Sequence, residues 1–308
     1  MVPCLRCNKC HGRGPHDPFV SVCSVNPKVG IEHRLDILES KPLPSMKIAV
    51  IGGGPAGMKT AMELCDRGHK VTLFEADEKL GGAIKHAEYV DFKWTLNDFR
   101  KYLIRQVEKR DIDVRLNTRA TPEMVRAEGF DMVIPALGAT PSLPPIPGID
   151  KPHVMVATQS MIHPETVGQN VVVIGGGEVG VEAGMNLAKK GRNVTVLEMQ
   201  GKLAAESTMI HYYSMFEEAW LALPTFHWQL NATVTGIQDD CVTYKDQEGA
   251  EHAIPCDSVV VSLGMKPLTD EALSFYGSAD RFALIGDCQK PATVQQAMRS
   301  AFAVSHSV

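Results

Sequence analysis

The chain alternates between short apolar runs and glycine-rich turns. Residues 47–51 (KIAVI) end at Gly52, and residues 170–174 (NVVVI) end at Gly175. A short apolar run bounded by turn residues is typical of a buried strand. The first turn is followed by a predicted helix over 56–66, which a C′ glycine closes. The pattern predicts a strand, a tight turn and a helix, and it occurs twice.

The second apolar run repeats the first with an offset of 123 residues. Residues 71–75 (VTLFE) correspond to 194–198 (VTVLE), and residues 131–138 later pair with 257–264 at an offset of 126. Within the first repeat, apolar residues at helical spacing predict a further helix over 95–109. Agreement at so many separated positions predicts two βαβ dinucleotide-binding units in one chain.

The two repeats are not arranged in tandem. Residues 141–148 (PSLPPIPG) are too rich in proline for a helix or a central strand, and they mark a crossing between domains. A second crossing is predicted near Lys266-Pro267, after which the chain returns as a strand over 282–285 and a helix from Val294. We predict an α/β fold of two Rossmann-like dinucleotide-binding domains, the second inserted in the first. The predicted boundaries are a cysteine-bearing segment at 1–30, a linker at 31–45, the first domain at 46–145 and 268–308, and the second at 146–267.

Each turn carries the glycine spacing that suits a dinucleotide. The first glycine allows the tight bend, the second lets the backbone approach the pyrophosphate, and the third lets the helix pack closely on the strand. The phosphates then lie at the positive N-terminus of the helix. The candidate residues are Gly52, Gly54, Pro55, Ala56 and Gly57 in the first turn, and Gly175, Gly177, Glu178, Val179 and Gly180 in the second.

A carboxylate follows the second strand of each unit. Glu75 and Glu198 each stand 23 residues after the first glycine of their turn, where a carboxylate can accept hydrogen bonds from ribose hydroxyls. Because Glu198 would repel a 2′-phosphate, the second unit is predicted to prefer NADH to NADPH. Arg192 and Lys202 are close enough in sequence to weaken that preference.

Composition and charge exclude some classes of partner. The chain has 308 residues, of which 44% are hydrophobic and 22% are charged, and its net charge is −5. These values are typical of an α/β protein that has no electrostatic reason to bind nucleic acid. The apolar runs are too short to span a bilayer, and the cysteine-bearing N-terminus lacks a signal-peptide core. We therefore expect a cytoplasmic protein with neither nucleic-acid nor membrane partners.

Four of the eight cysteines lie close to the N-terminus. Cys4, Cys7 and Cys10 are separated by two residues each, and Cys23 follows. Four thiolates at this density suit a soft metal. Bacterial [4Fe–4S] clusters use this spacing, whereas zinc more often uses two separated CxxC pairs. We predict a [4Fe–4S] cluster, with zinc and free thiols as the alternatives.

Taken in order, these elements resemble the C-terminal half of the iron–sulfur flavoenzymes related to 2,4-dienoyl-CoA reductase. That group includes trimethylamine dehydrogenase and the clostridial enoate and bile-acid reductases. The resemblance covers nearly the whole chain. Its marks are Cys7-Asn8, residues 23–27 (CSVNP), the turn at 52–57, Glu75 followed by Gly81-Gly82, residues 136–138 (ALG) and residues 285–288 (IGDC).

The resemblance implies which cofactor each unit binds. FAD would be held by the first unit and the nicotinamide nucleotide by the second. The residues implied for FAD are Gly52, Gly54, Gly57, Glu75, Gly81, Gly82, Gly138, Gly286 and Asp287, the last of which would meet the ribityl chain. Those implied for the nicotinamide nucleotide are Gly175, Gly177, Gly180, Glu198 and Gly264.

The sequence also departs from that group. Many members place three residues between the second and third cysteines, whereas Cys7 and Cys10 enclose two. Members begin with a (β/α)₈ barrel that binds FMN and reduces the substrate, and this chain starts where that barrel would end. We therefore expect FMN only on a barrel that is either a partner subunit or the missing part of a longer chain.

Together these features predict an NADH-dependent flavoprotein module. Electrons would pass from NADH to FAD, then to the [4Fe–4S] cluster, and then to an FMN barrel that reduces an activated C=C bond of the enoate or enone type. No catalytic acid or base is predicted, because hydride transfer to a flavin needs none. No CxxC pair adjoins the flavin motif, which disfavours a disulfide reductase, and Cys288 is interpreted as a packed small residue.

Two alternatives remain open from the sequence. The first is a non-catalytic structural module of a larger iron–sulfur flavoenzyme, with a nucleotide such as ADP in place of FAD. The second is a subunit like the small subunit of glutamate synthase, which fits less well because such proteins carry two cysteine groups and this chain has one.

Overall fold

A computed structural model of the chain describes residues 1–11, 22–34, 44–207 and 212–308. Most of the predicted linker at 31–45 lies outside the described residues. The described residues form two compact units. The first comprises residues 1–10, 22–34, 44–140 and 266–308, and the second comprises residue 11 together with residues 141–207 and 212–265.

The regular elements follow one another along the chain in the order expected for two βαβ units. The strands are β1 (Lys47–Ile51), β2 (Lys70–Phe74), β3 (Ile112–Arg115), β4 (Met132–Pro135), β5 (Ala139–Pro141), β6 (Val154–Val156), β7 (Asn170–Ile174), β8 (Asn193–Leu197), β9 (Phe226–Gln229), β10 (Thr233–Ile237), β11 (Cys241–Lys245), β12 (Glu251–Pro255), β13 (Ser258–Val261), β14 (Met265–Pro267) and β15 (Arg281–Phe282). The α-helices are α1 (Pro55–Asp66), α2 (Trp94–Glu108), α3 (Pro122–Glu128), α4 (Ala157–Ile162), α5 (Glu178–Lys189), α6 (Tyr212–Leu221), α7 (Thr269–Leu273) and α8 (Val294–His306).

The first unit is built on a parallel sheet with the strand order β15-β4-β1-β2-β3. Strand β1 is central, and its apolar side chains are buried on both faces. Such a strand is a continuous apolar run rather than an alternating one, which is why the sequence marks it so clearly. Met58 and Leu64 of α1 and Met298 of α8 pack in the same core as Ile48 and Val50.

The second unit contains a parallel sheet with the order β6-β13-β7-β8-β9 and an antiparallel sheet with the order β10-β11-β12. Val242 and Tyr244 of the antiparallel sheet share a core with Val172 of β7. The antiparallel sheet is not predicted by the sequence pattern. Its first strand changes register between Val234 and Gly236, and such a bulge breaks the alternation of polar and apolar residues that would indicate a strand.

The internal repeat is preserved in the pairing of the strands. In the first unit Lys47 lies opposite Lys70 and Ile51 opposite Phe74, and the second unit pairs the residues 123 positions later in the same register. The predicted α/β fold of two Rossmann-like units, one inserted in the other, is therefore confirmed. The helix predicted over 95–109 occupies Trp94–Glu108.

The chain passes from one unit to the other after Thr140 and returns after Met265. The boundaries predicted from the sequence were after residues 145 and 267. Strands β5 and β14 at these crossings pair with each other. The strand predicted over 282–285 is shorter, at Arg281–Phe282. In the part of the chain that the structure covers, no helix has the length and apolar character needed to cross a membrane.

Candidate functional site

The first glycine turn is held in shape by close contacts of its backbone. Gly52 has a φ of +110° and donates its N–H to the carbonyl oxygen of Phe74 at 2.8 Å. A Cβ on Gly52 would lie 2.5 Å from the carbonyl oxygen of Ala136, and a Cβ on Gly57 would lie 1.8 Å from that of Gly52. No side chain fits at either position, so glycine is what allows β1, the turn and α1 to pack this closely.

Gly54, the second glycine of the motif, has a different environment. A Cβ on Gly54 would meet no described atom nearer than the Cα of Gly82, at 3.8 Å. Packing within the protein therefore does not require glycine here, whereas a pyrophosphate that approaches the backbone does. Gly54 is the N-cap of α1, and the N–H groups of Ala56 and Gly57 lie at the positive end of that helix. This open backbone leaves room for the pyrophosphate of a dinucleotide.

A buried glutamate ties each turn to the loop after the second strand. Glu75 accepts the N–H of Gly53 at 2.9 Å with one carboxylate oxygen and the N–H of Asp77 at 2.9 Å with the other. Glu198 accepts the equivalent N–H groups of the second unit at 2.6 and 2.7 Å. Each oxygen keeps a lone pair that can accept a ribose hydroxyl. The position of each glutamate in the sequence predicts only the ribose contact, and the structural role is visible only in the fold.

The loop after β2 folds back on the first turn. Gly81 donates its N–H to the carbonyl oxygen of Gly53 at 2.9 Å, and a Cβ on Gly82 would lie 2.8 Å from the Cα of Gly54. Gly81 and Gly82 have φ values of +134° and +51°. The structure thus brings Gly81 and Gly82, both implied for FAD by the resemblance, against the turn that contains Gly54.

The second unit has the same loop with different residues. Ala204 donates its N–H to the carbonyl oxygen of Gly176 at 2.7 Å, which is the contact that Gly81 makes in the first unit. Leu80 and Leu203, at the start of these loops, lie against Gly53 and Gly176 of their own turns. The repeat therefore extends to residues 80–83 and 203–206. This part of the repeat is hidden in the sequence because the two glycines of the first copy are alanines in the second.

Segments distant in sequence complete the first site. Gly286 has a φ of +69°, and a Cβ there would lie 3.0 Å from the Cβ of Ala56 at the start of α1. The next side chain, Asp287, accepts the N–H of Ala292 at 3.2 Å, and burial raises the pKa of its carboxyl group. Gly138, with a φ of +78°, follows two residues after the alanine that contacts the turn.

None of the eight cysteines, all of which lie in described parts of the chain, forms a disulfide. Cys288 is buried and donates its thiol to the carbonyl oxygen of Ile285 at 3.1 Å. Burial raises the pKa of this thiol, which lowers its reactivity. This geometry agrees with a packed residue. Cys288, beside Asp287, is not part of a disulfide.

The second turn is constructed like the first. Gly175 has a φ of +100°, and a Cβ there would lie 2.3 Å from the carbonyl oxygen of Ser262. A Cβ on Gly180 would lie 1.9 Å from the carbonyl oxygen of Gly175. Gly264, with a φ of +88°, follows β13 and accepts the N–H of Ser142 at 2.9 Å. Gly175 and Gly180 therefore lie together at the N-terminus of α5.

Gly177 differs from its counterpart in the first unit because a carboxylate lies against it. An oxygen of Glu206 accepts the N–H of Glu178 at 2.6 Å and would be 2.8 Å from a Cβ on Gly177. The hydroxyl of Ser207 donates to the carboxylate of Glu178, and Val179, the next residue of α5, is exposed. In the sequence, aligning residues 203–206 with residues 80–83 could have identified Glu206 as a residue of the second site.

The two basic side chains near Glu198 in sequence have other partners. Arg192 donates to two backbone carbonyl oxygens, both at 2.9 Å. The ammonium group of Lys202 lies 3.6 Å from the centroid of the Tyr213 ring. The partners of both side chains are neutral groups, so each keeps its positive charge in these contacts.

The four N-terminal cysteines are only partly shielded from solvent. Cys4 and Cys10 are exposed, whereas Cys7 and Cys23 are half-buried. The N–H of Arg6 donates to the Sγ of Cys4 at 3.3 Å. Among the described residues, no three metal-ligating side chains come close enough together to hold a metal ion. The donor set of four thiols on one short segment nevertheless has the chemistry that an iron–sulfur cluster requires.

Comparison with known proteins identifies the family. A family model described as pyridine nucleotide-disulphide oxidoreductase matches residues 46–301. The bilirubin reductase of Mediterraneibacter gnavus is 34% identical over 304 residues, which are 97% of this chain and 46% of that protein. The cinnamate reductase of Clostridium sporogenes is 30% identical over 308 residues, which are 99% of this chain and 45% of that protein.

A solved structure agrees with these matches. The structure of a 2-naphthoyl-CoA reductase in complex with 2-naphthoyl-CoA superimposes with a TM-score of 0.88 at 29% identity, over 94% of this chain and 44% of that one. The chain thus spans about half the length of the relatives it matches. The resemblance to the C-terminal half of such reductases is confirmed. The chain belongs to the pyridine nucleotide-disulphide oxidoreductase family of flavin-dependent, NAD(P)H-using enzymes.

Proposed function

We propose that this chain is the electron-input module of a larger reductase. Electrons pass from NADH in the second unit to FAD in the first, then to a [4Fe–4S] cluster on Cys4, Cys7, Cys10 and Cys23, and then to an FMN-binding barrel. The observation that carries the proposal is the duplication of one construction: two glycine turns, each tied by a buried glutamate to the following loop. One chain thereby has a site for an electron donor and a site for an acceptor.

In the first unit, the residues around α1 bind FAD. The backbone at Gly54 and the N–H groups that follow it hold the pyrophosphate, Glu75 accepts ribose hydroxyls, and Asp287 meets the ribityl chain. When bound, FAD would supply the redox chemistry, because a flavin can accept a hydride and release electrons one at a time. No acid or base of this chain takes part, because the protein only positions the cofactors and excludes competing reactions.

In the second unit, the residues around α5 bind NADH. The predicted contacts are the backbone from Gly175 to Gly180 and Gly264. Glu198 accepts the ribose hydroxyls and repels a 2′-phosphate, so NADH is preferred to NADPH. A 2′-phosphate would have to draw Arg192 and Lys202 away from the backbone carbonyl oxygens and the Tyr213 ring that they contact.

The N-terminal segment is proposed to hold the cluster through its four thiolates. Arg6 and Asn8, on either side of Cys7, both have a φ of +56°, so the backbone between the first three cysteines turns sharply. An N–H···S hydrogen bond, of the kind that Arg6 donates to Cys4, stabilises a cluster thiolate and tunes its potential. Leu5 packs against the core of the first unit, which anchors the segment to the flavin-binding domain.

The final substrate is proposed to be a conjugated C=C compound reduced on the FMN barrel. The support is that three relatives are named as reductases of bilirubin, cinnamate and 2-naphthoyl-CoA. The chain spans less than half of each of these proteins. The barrel is accordingly proposed either as a partner subunit or as a further domain of the same protein.

The proposal is tested by anaerobic purification of the chain and measurement of bound flavin, iron and sulfide. Addition of NADH is expected to bleach the flavin absorbance, and ferricyanide or a viologen is expected to accept the electrons. A protein that binds ADP but no flavin would contradict the proposal and support the non-catalytic nucleotide-binding module instead.

A further inference from the structure

The second glycine turn already has an anion of the protein's own at its helix N-terminus. The carboxylate of Glu206 accepts the N–H of Glu178, the first residue of α5, at 2.6 Å. The same oxygen would be 2.8 Å from a Cβ on Gly177. Gly177 is the glycine whose backbone a dinucleotide pyrophosphate approaches. The carboxylate and the pyrophosphate would therefore compete for the same place.

The first turn has no such group, although its loop makes the equivalent backbone contact, from the N–H of Gly81 to the carbonyl oxygen of Gly53. Residue 83, the counterpart of Glu206, is Ala83, and the counterpart of Glu178 is Pro55, which has no N–H. The nearest described neighbour of a Cβ on Gly54 would be a glycine Cα, at 3.8 Å. Two differences between the turns therefore bear directly on the pyrophosphate position: the carboxylate of Glu206 and the N–H group of Glu178 that it engages.

The contact is not needed to hold the second turn in shape. Glu198 and the N–H of Ala204 already bind the turn to the loop, as their counterparts do in the first unit. Glu206 itself is exposed, so its side chain can rotate away into water without leaving a buried group unsatisfied. A contact that is favourable, local and easily exchanged with water is suited to displacement by a ligand.

We propose that Glu206 occupies the pyrophosphate position of the second turn in the absence of nucleotide, and that NADH must displace it to bind. Both anions are stabilised by the same helix N-terminus, so each excludes the other. Glu206 thereby lowers the affinity for NADH and helps the oxidised nucleotide to leave after hydride transfer. This inference rests on the proposed function in one respect, which is that the second unit binds the nicotinamide nucleotide.

The test is the affinity of the flavin-loaded full chain for NADH, ADP-ribose and adenosine, measured by anaerobic titration calorimetry after the flavin has been fully reduced, so that NADH binds but cannot transfer hydride. Glu206→Gln and Glu206→Ala are expected to bind NADH and ADP-ribose about tenfold more tightly, which corresponds to about 1.4 kcal/mol. Affinity for adenosine, which lacks the pyrophosphate, is expected to stay unchanged. Glu218→Gln is the matched control, because Glu218 is an exposed glutamate of the same unit and its loss changes the net charge equally.

The outcomes separate the two proposals. Equal or weaker NADH binding in both Glu206 variants, with normal binding in the wild type, would overturn the role of Glu206 and leave the proposed function standing. An equal gain in Glu218→Gln would also overturn it, because net charge alone would then explain the effect. Absence of NADH binding in every protein would overturn the proposed function and this inference together.

Discussion

The carboxylate of Glu75 and the backbone N–H of Gly53 form a buried hydrogen bond of 2.9 Å. A second oxygen of the same carboxylate binds the loop after β2, and Glu198 repeats both contacts in the other unit. A residue predicted to bind ribose is therefore also a structural element of the turn. This double role governs what substitutions at these positions are expected to do.

Replacement of Glu75 by alanine is expected to lower the free energy of unfolding by about 3 kcal/mol. The N–H groups of Gly53 and Asp77 lose their acceptor, and an unsatisfied buried donor costs roughly 1–3 kcal/mol. Urea unfolding followed by circular dichroism measures the change. Glu78→Ala is the control, because its side chain is 75% exposed, and a similar loss there would contradict the prediction.

Substitution of Gly82 by alanine is expected to abolish most of the FAD binding. The new Cβ would lie 2.8 Å from the Cα of Gly54, so the loop must move away from the turn. Gly129→Ala is a matched control, since Gly129 has a similar φ of +64° but no described atom within 4 Å of its Cβ position. Its cost is expected to be limited to about 1 kcal/mol of stability. Equal flavin content in the two purified variants would refute the close-approach argument.

Replacement of Glu198 by glutamine is expected to reduce the preference for NADH over NADPH roughly fivefold, since one unit of charge that opposes the 2′-phosphate is removed. The ratio of the two dissociation constants is the relevant measure, because it cancels any general weakening of the turn. Glu248→Gln, at an exposed position of the same unit, should leave the ratio unchanged. A ratio that does not respond to Glu198→Gln would exclude its role in selectivity.

Removal of Cys23 is expected to deplete bound iron. The anaerobically purified wild type should contain about four iron atoms per chain if a [4Fe–4S] cluster is present, and Cys23→Ala should lose most of them together with the visible absorbance of the cluster. Cys65→Ala is the control, because Cys65 contacts the carbonyl oxygen of Asp111 far from the N-terminal segment in sequence. Zinc in place of iron in the wild-type protein would contradict the cluster and show that the cysteines bind zinc instead.

Stability is expected to fall as the pH is lowered from 7 to 5, in part because of His86. Burial lowers the pKa of this imidazole to about 4. The unfolded chain therefore takes up a proton near the ordinary pKa of about 6.5, whereas the folded protein stays neutral until the pH approaches 4. The loss should amount to about 2 kcal/mol by pH 5.

The variant His86→Gln should lose less stability than the wild type over that range, as measured by urea unfolding at both pH values. His227→Gln, in which the replaced ring is exposed, should keep the wild-type dependence. An identical pH dependence in all three proteins would show that His86 does not contribute.

Local features of the sequence were sufficient to predict the βαβ units. The apolar runs at 47–51 and 170–174 and the glycines after them form strands and turns because of the local preferences of adjacent residues. The short strand at Arg281–Phe282 and the bulged strand at Thr233–Ile237 were predicted poorly or not at all. Their formation depends on pairing with partners distant in sequence, and neither carries a regular pattern.

The sequence by itself determined the number of dinucleotide units, their order and the glycines at their centres, because backbone freedom and apolar periodicity are properties of adjacent residues. Only the tertiary structure decided that Glu75 and Glu198 tie down the turns, that Gly82 lies on Gly54, and that Glu206 occupies the N-terminus of α5. Each of these contacts joins residues more than twenty positions apart. Their distance in space is set by how the whole unit packs, which no local pattern specifies.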